Sequence, residues 1–123
     1  MTTLSPRRIA YGLGRRAETI AALFLRLKGY RILDKRYATP VGEIDLIARR
    51  GKLLVFVEVK ARASLDAAAE SIRRTQKNRI VRAAEAYLSR HPSYVHHDMR
   101  FDAVLIAPNT LPRHLKAAFD ARR

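Results

Sequence analysis

Residues 42 to 62, GEIDLIARRGKLLVFVEVKAR, leave few folds open. Two runs rich in Ile, Leu, Val and Phe flank a basic turn around Gly51. β-Branched and aromatic residues in short runs favour strands, and a short glycine-containing link between two such runs predicts an antiparallel hairpin. Each run also carries ionisable side chains: Glu43 and Asp45 in the first, Glu58 and Lys60 in the second. Charges in an apolar sheet are costly unless they are paired or hold a metal ion.

Side chains alternate along a strand, so Glu43, Asp45 and Ile47 share one face of the first run, and Phe56, Glu58 and Lys60 share one face of the second. A two-residue link keeps all four charges on one face. If that link is Arg50-Gly51, Asp45 lies opposite Phe56; if it is Gly51-Lys52, Asp45 lies opposite Glu58. An odd link would separate the two sets unless a bulge intervened. Opposed carboxylates repel, so one takes up a proton unless a cation is supplied. Mg²⁺ suits such a pair, completed by the Val59 carbonyl and water. Lys60 would reach the same point, where an amine can orient or deprotonate a water and offset phosphate charge. The plainer reading is a solvated face carrying ion pairs, which are common and nearly neutral in energy.

The rest of the chain supplies the surroundings of this hairpin. Residues 1 to 12 read as a basic tail, and 13 to 123 as a single domain. Ala17, Ile20, Ala21, Phe24 and Leu27 recur at helical spacing and predict a helix from Gly14 to Lys28 with that face on the core. A strand over 30–37 follows. A second helix is expected over 68–90, with Ile80, Ala84, Tyr87 and Leu88 on one face and His91-Pro92 closing it. MRFDAVLIA, 99 to 107, is a further strand, and the segment after Pro108-Asn109 adds a short strand or a helical turn. The predicted order is α-β-β-β-α-β: an α/β fold with a mixed β-sheet flanked by helices, three strands as a meander and the last brought in by a helical crossover.

Charge points to the partner. Twenty-five Lys and Arg against eleven Asp and Glu give a formal +14, an excess that favours polyanions and suggests nucleic acid. An anionic membrane surface or a ribosomal partner would use the same charge. Cysteine is absent, so thiolate sites and disulfides are excluded. No segment has the roughly 20 apolar residues of a membrane span, and a soluble cytoplasmic protein is the expectation. There is no phosphate-binding glycine loop or zinc-finger spacing. His96-His97-Asp98 reads as a surface loop, and Asp102 as an acid satisfied by the backbone or Arg100, or as a supporting partner of the site.

At Gly42-Glu43-Ile44-Asp45-Leu46-Ile47, Phe56-Val57-Glu58-Val59-Lys60 and Arg100-Phe101-Asp102 the chain resembles the bacterial YraN family of small, endonuclease-like proteins. That family in turn resembles PD-(D/E)XK nucleases and, among them, the archaeal Holliday-junction resolvases. The resemblance covers roughly residues 12 to 121. It implies a restriction-endonuclease-like core and a Mg²⁺- or Mn²⁺-dependent DNA endonuclease acting on branched or damaged DNA. Asp45 and Glu58 would be the metal acids, Lys60 the catalytic lysine, and Glu18 a further acidic position. The alternative is a nucleic-acid-binding accessory protein that keeps the fold without turnover. Arg62, Arg73, Gln76 and Lys77 are the candidate contacts to the DNA phosphate backbone, with Arg73 and Lys77 at the basic end of the second helix. A two-fold homodimer would bring two sites to opposed strands of a junction.

Overall fold

The computed structural model describes residues 6–119, with side chains from Arg15 onward. Helix α1 (Pro6–Leu27) leads into strands β1 (Arg31–Thr39), β2 (Gly42–Arg50) and β3 (Leu53–Ala61). Helices α2 (Leu65–Arg73) and α3 (Lys77–Arg90) follow, then a single 3₁₀ turn over Pro92–Tyr94 and strands β4 (Asp98–Ile106) and β5 (Arg113–Phe119). The five strands lie in chain order in one mixed sheet. Only β3 and β4 run parallel, joined by the α2–α3 crossover that parallel neighbours require. The predicted α/β architecture is therefore the one formed, with an extra edge strand at its end.

β3 shows why the sheet is covered on both sides. Its even positions, Leu54 and Phe56, join the apolar cluster beneath α2 and α3, together with Ile80, Ala84, Tyr87 and Phe101. Its odd positions, Val55 and Val57, join the cluster beneath α1, with Leu46, Ala48 and Val104. Leu54 to Val57, apolar at four successive positions, must be buried on both faces. Each large side chain so buried contributes roughly 1.5–3 kcal/mol.

The helices differ from the sequence-based expectation in three respects. α1 begins at Pro6, so part of the segment expected as a tail is helical. Proline is tolerated in a first helical turn, and Gly12 and Gly14 cost only about 1 kcal/mol each relative to alanine. Within α1 the buried face is Ala17, Ala21, Ala22 and Leu25, whereas Ile20 is 38% and Leu27 80% exposed. Small side chains let the helix lie close to the valine-rich face of β3, and this turns the larger residues outward.

The predicted helix over 68–90 is two helices, separated at Arg74–Gln76. α2 packs on β3 and β4, whereas α3 packs on β2 and β1. One straight helix cannot follow both pairs of strands across a twisted sheet. Ser64 caps the new start, its side chain accepting from the Ala67 N–H.

Candidate metal and nucleic-acid site

The hairpin link is Gly51-Lys52: Arg50 pairs with Leu53, Ile47 with Phe56 and Leu46 with Val57. Gly51 takes a φ of +60°, which suits the first central position of a tight two-residue hairpin turn. Of the two even registers, this is the one that carries Asp45 toward Glu58. Regular pairing stops at Leu46–Val57. Just beyond it the Val59 N–H donates to Asp45 Oδ2 at 2.8 Å, so the carboxylate takes over as acceptor where the ladder ends. In an extended strand the N–H and C=O of one residue point to the same side, and the Val59 carbonyl therefore also faces β2. Alternation breaks here as well, because Ile44 and Ile47, three apart, both join the cluster beneath α2 and α3.

Burial pushes the Glu58 carboxyl up to about 9, helped by a hydrogen bond to Asp45 and by the Asp45 charge; Lys60 opposes the shift and Glu43 adds to it. The Lys60 ammonium stands 3.9 Å from Glu58 Oε1, too far to cancel the other effects. At neutral pH Glu58 thus keeps its proton beside the Asp45 carboxylate.

These groups open into a cleft of about 450 Å³ between the hairpin and the α2–α3 elbow. Glu43, Asp45, Glu58 and Lys60 form the strand wall; Ser71, Arg74, Thr75, Gln76, Arg79 and Ile80 form the helix wall. Asp45, Glu58 and Lys60 thus lie on one wall of the cleft and Gln76 on the other. Lys77 and Arg73 are exposed and outside the lining, Arg73 Nη1 lying 3.2 Å from Glu70 Oε1. Arg62 is exposed at the end of β3, donating to the Ala61 carbonyl and to Ser71 Oγ. Glu18 is not in the cleft. Its Oε1 accepts from Arg36 Nε at 2.5 Å, and Arg36 lies between the β1 residues that pair with Leu46 and Ile44. Glu18 thus meets the sheet at the level of Asp45, but from α1.

Among the described residues, no group of three His, Cys, Asp or Glu side chains has metal-holding geometry. A cation here would rest on the Asp45–Glu58 pair, completed by the Val59 carbonyl and water. Mg²⁺ accepts that composition, since it keeps several waters beside one or two carboxylates.

A second charged cluster lies on the α1 face, where Asp102 is fully buried. Arg100 donates to it twice at 2.7 Å, His114 Nε2 lies 2.6 Å from Oδ2, and the Ala117 N–H donates to Oδ1 at 3.0 Å. Burial alone would raise its carboxyl, but the hydrogen bonds from His114, Arg100 and Ala117 outweigh that and hold it down at about 2. Lys28 Nζ is 2.6 Å from His114 Nδ1; an ammonium only donates, so that nitrogen accepts and the proton sits on Nε2. Arg100 also donates to the Tyr30 hydroxyl. Asp102 is thus an anchor for β5, away from the cleft and satisfied by Arg100 and the backbone.

The profile of the uncharacterised protein family UPF0102 matches residues 17–106. The chain belongs to that family, the YraN family. A UPF0102 protein of Bradyrhizobium diazoefficiens is 57% identical over 118 residues, 95% of this chain and 89% of that protein. One of Nitrobacter winogradskyi is 57% identical over 112 residues, 91% of this chain and 95% of the relative. In this UPF0102 chain, sequence reasoning missed Ser71, Arg74, Thr75 and Arg79. The helix break hides the first three, since a continuous helix would carry them past the site. Arg79 had a local signal, standing beside the core residue Ile80 and three after Gln76. No helix among the described residues is long and apolar enough to cross a membrane.

Proposed function

We propose that this UPF0102 protein is a metal-dependent DNA endonuclease that hydrolyses phosphodiesters in branched or damaged DNA. The supporting observation is the Asp45–Glu58 carboxyl pair, with Glu58 pushed up to about 9, on the strand wall of a cleft that has Lys60 beside it and arginines on the wall across from it. Asp45 and Glu58, with the Val59 carbonyl, would hold Mg²⁺ or Mn²⁺. The cation would supply Lewis acidity, stabilising charge that develops on the phosphate. Lys60 orients the attacking water and offsets phosphate charge; the water oxygen bonds to phosphorus and releases a proton to solvent as the bond to the leaving oxygen breaks, and that oxygen takes up a proton from solvent. Arg62 and Gln76 contact the phosphate backbone from the end of β3 and the elbow, with the exposed Arg73 and Lys77 contributing at longer range. Glu18, already engaged by Arg36, plays a lesser part than the two acids.

The test is cleavage of four-way-junction, flap, single-stranded and duplex DNA with Mg²⁺, Mn²⁺ or EDTA. Metal-dependent products are expected, and Glu58→Gln should abolish them while DNA binding survives. A second reading has its own observation: Asp45 already holds the Val59 N–H, a role that needs no turnover. A non-catalytic accessory protein would bind DNA and give no products with any metal, and its Asp45→Asn variant would lose stability rather than activity.

A further inference from the structure

The two walls of the cleft are chemically unlike. The strand wall offers carboxylates and Lys60, while the helix wall offers Arg74 and Arg79 with Thr75 and Gln76 between them. The arginines have little to neutralise them. Arg74 Nε is 3.9 Å from Glu70 Oε2, with the Arg74 side chain 81% exposed, and such a pair contributes little. Among the described residues, no carboxylate forms an ion pair with Arg79. The Arg79 backbone, by contrast, is fixed against the strand that carries Glu43 and Asp45. A Cβ on Gly42 would stand 2.2 Å from the Arg79 carbonyl oxygen, so the first turn of α3 rests directly on the start of β2. Glu43 and Asp45 follow on the same strand. The missing side chain therefore sets the spacing between the arginine wall and the carboxylates.

The lining also lacks what a base would need. Among the described residues it contains no aromatic ring, and Ile80 is its single aliphatic residue. Base recognition in a cleft relies on stacking surfaces, whereas arginines opposite a hydrolytic centre suit phosphate oxygens. A volume of about 450 Å³ exceeds what one diester group fills, being in the range of sites for ligands with several functional groups.

We propose that Arg74 and Arg79 form a second phosphate subsite, which holds the diester adjacent to the one cleaved at Asp45, Glu58 and Lys60. The preferred substrate is then a polynucleotide strand with successive phosphodiesters, gripped by its backbone and not read by base in this cleft. The inference rests on the phosphodiesterase reading above.

The experiment compares kcat/KM on a dinucleotide, which has a single diester, with that on the same step extended by one nucleotide on each side. Extension should raise kcat/KM roughly tenfold or more, as a charged hydrogen bond to phosphate would. A methylphosphonate in place of one flanking linkage should remove most of that gain. The Arg74→Gln/Arg79→Gln double variant should also lose it, and lysine at both positions should restore part. No gain on extension, or an equal loss on both substrates in the double variant, overturns the subsite. If the wild type cleaves neither, the phosphodiesterase reading fails, and the subsite is judged by binding of the labelled oligonucleotides in EDTA. A roughly tenfold weaker complex for the double variant, mirrored by the single methylphosphonate, keeps it as a DNA-holding groove. Equal binding by wild type and variant removes it altogether.

Discussion

Glu58 carries a stability signature as well as a proposed role. Its carboxyl is raised from 4.5 to about 9 in the folded chain. Between those values the unfolded chain ionises while the folded one keeps its proton, so stability falls as pH rises from about 4.5 to about 9. Glu58→Gln removes that penalty. In EDTA the variant should melt several degrees above the wild type at about pH 8 and match it at about pH 4, as thermal unfolding would show. Asp102 behaves in the opposite sense. Its carboxyl is held at about 2, so its contribution is complete above the ordinary value of 3.8 and lost as pH falls through about 2. Because it is fully buried among charged donors, Asp102→Asn should cost about 3–5 kcal/mol at neutral pH. In urea unfolding the difference should narrow toward about pH 2.

At the scale of elements, the elbow between α2 and α3 makes the cleft. Gly42→Ala puts a Cβ 2.2 Å from a backbone oxygen rather than from a movable side chain, so α3 must lift from β2. The expected cost is about 1–3 kcal/mol, the usual range for overpacking, measured by chemical denaturation. The variant should also lose DNA cleavage beyond what its stability explains, because the arginine wall retreats from Asp45. β5 depends on a different device. Lys116, Ala117 and Ala118 occupy the place opposite Asp102 between the pairs Phe101–Phe119 and Ala103–Leu115, and Ala117 adopts a φ of +54°. The Asp102 carboxylate holds that strained position through the Ala117 N–H. His114→Ala should therefore raise hydrogen exchange in β5 well above that in β2 and β3.

For the whole molecule, the net charge of +14 sets long-range attraction to polyanions, whereas the proposed chemistry is confined to the cleft. Affinity for duplex DNA should fall steeply with salt, each phosphate contact contributing about −0.9 to the slope of log K against log salt. Arg74→Gln/Arg79→Gln should flatten that slope. Mg²⁺ provides a reading independent of turnover. If Mg²⁺ binds the Asp45–Glu58 pair as proposed, it competes there with the Glu58 proton and should raise the melting temperature more at about pH 8 than at about pH 6. Glu58→Gln should erase the difference.

The two apolar runs around Gly51 were enough to place Asp45, Glu58 and Lys60 on one hairpin, because period-two alternation and a short turn are local properties of a strand pair. The same locality made the α-β-β-β-α-β order and the tie between Asp102 and Arg100 legible. Which face of α1 is buried was not local: the sheet beneath accepts Ala17, Ala21 and Ala22 and turns Ile20 and Leu27 to solvent, a choice made by close packing. Nor was the break at Arg74–Gln76, since no proline or glycine marks it and only the twist of the sheet beneath requires it. With that break, Arg74 and Arg79 face the acids rather than solvent alone. Short-range patterning thus determined the strand wall of the site, and long-range packing of helix on sheet decided the wall opposite.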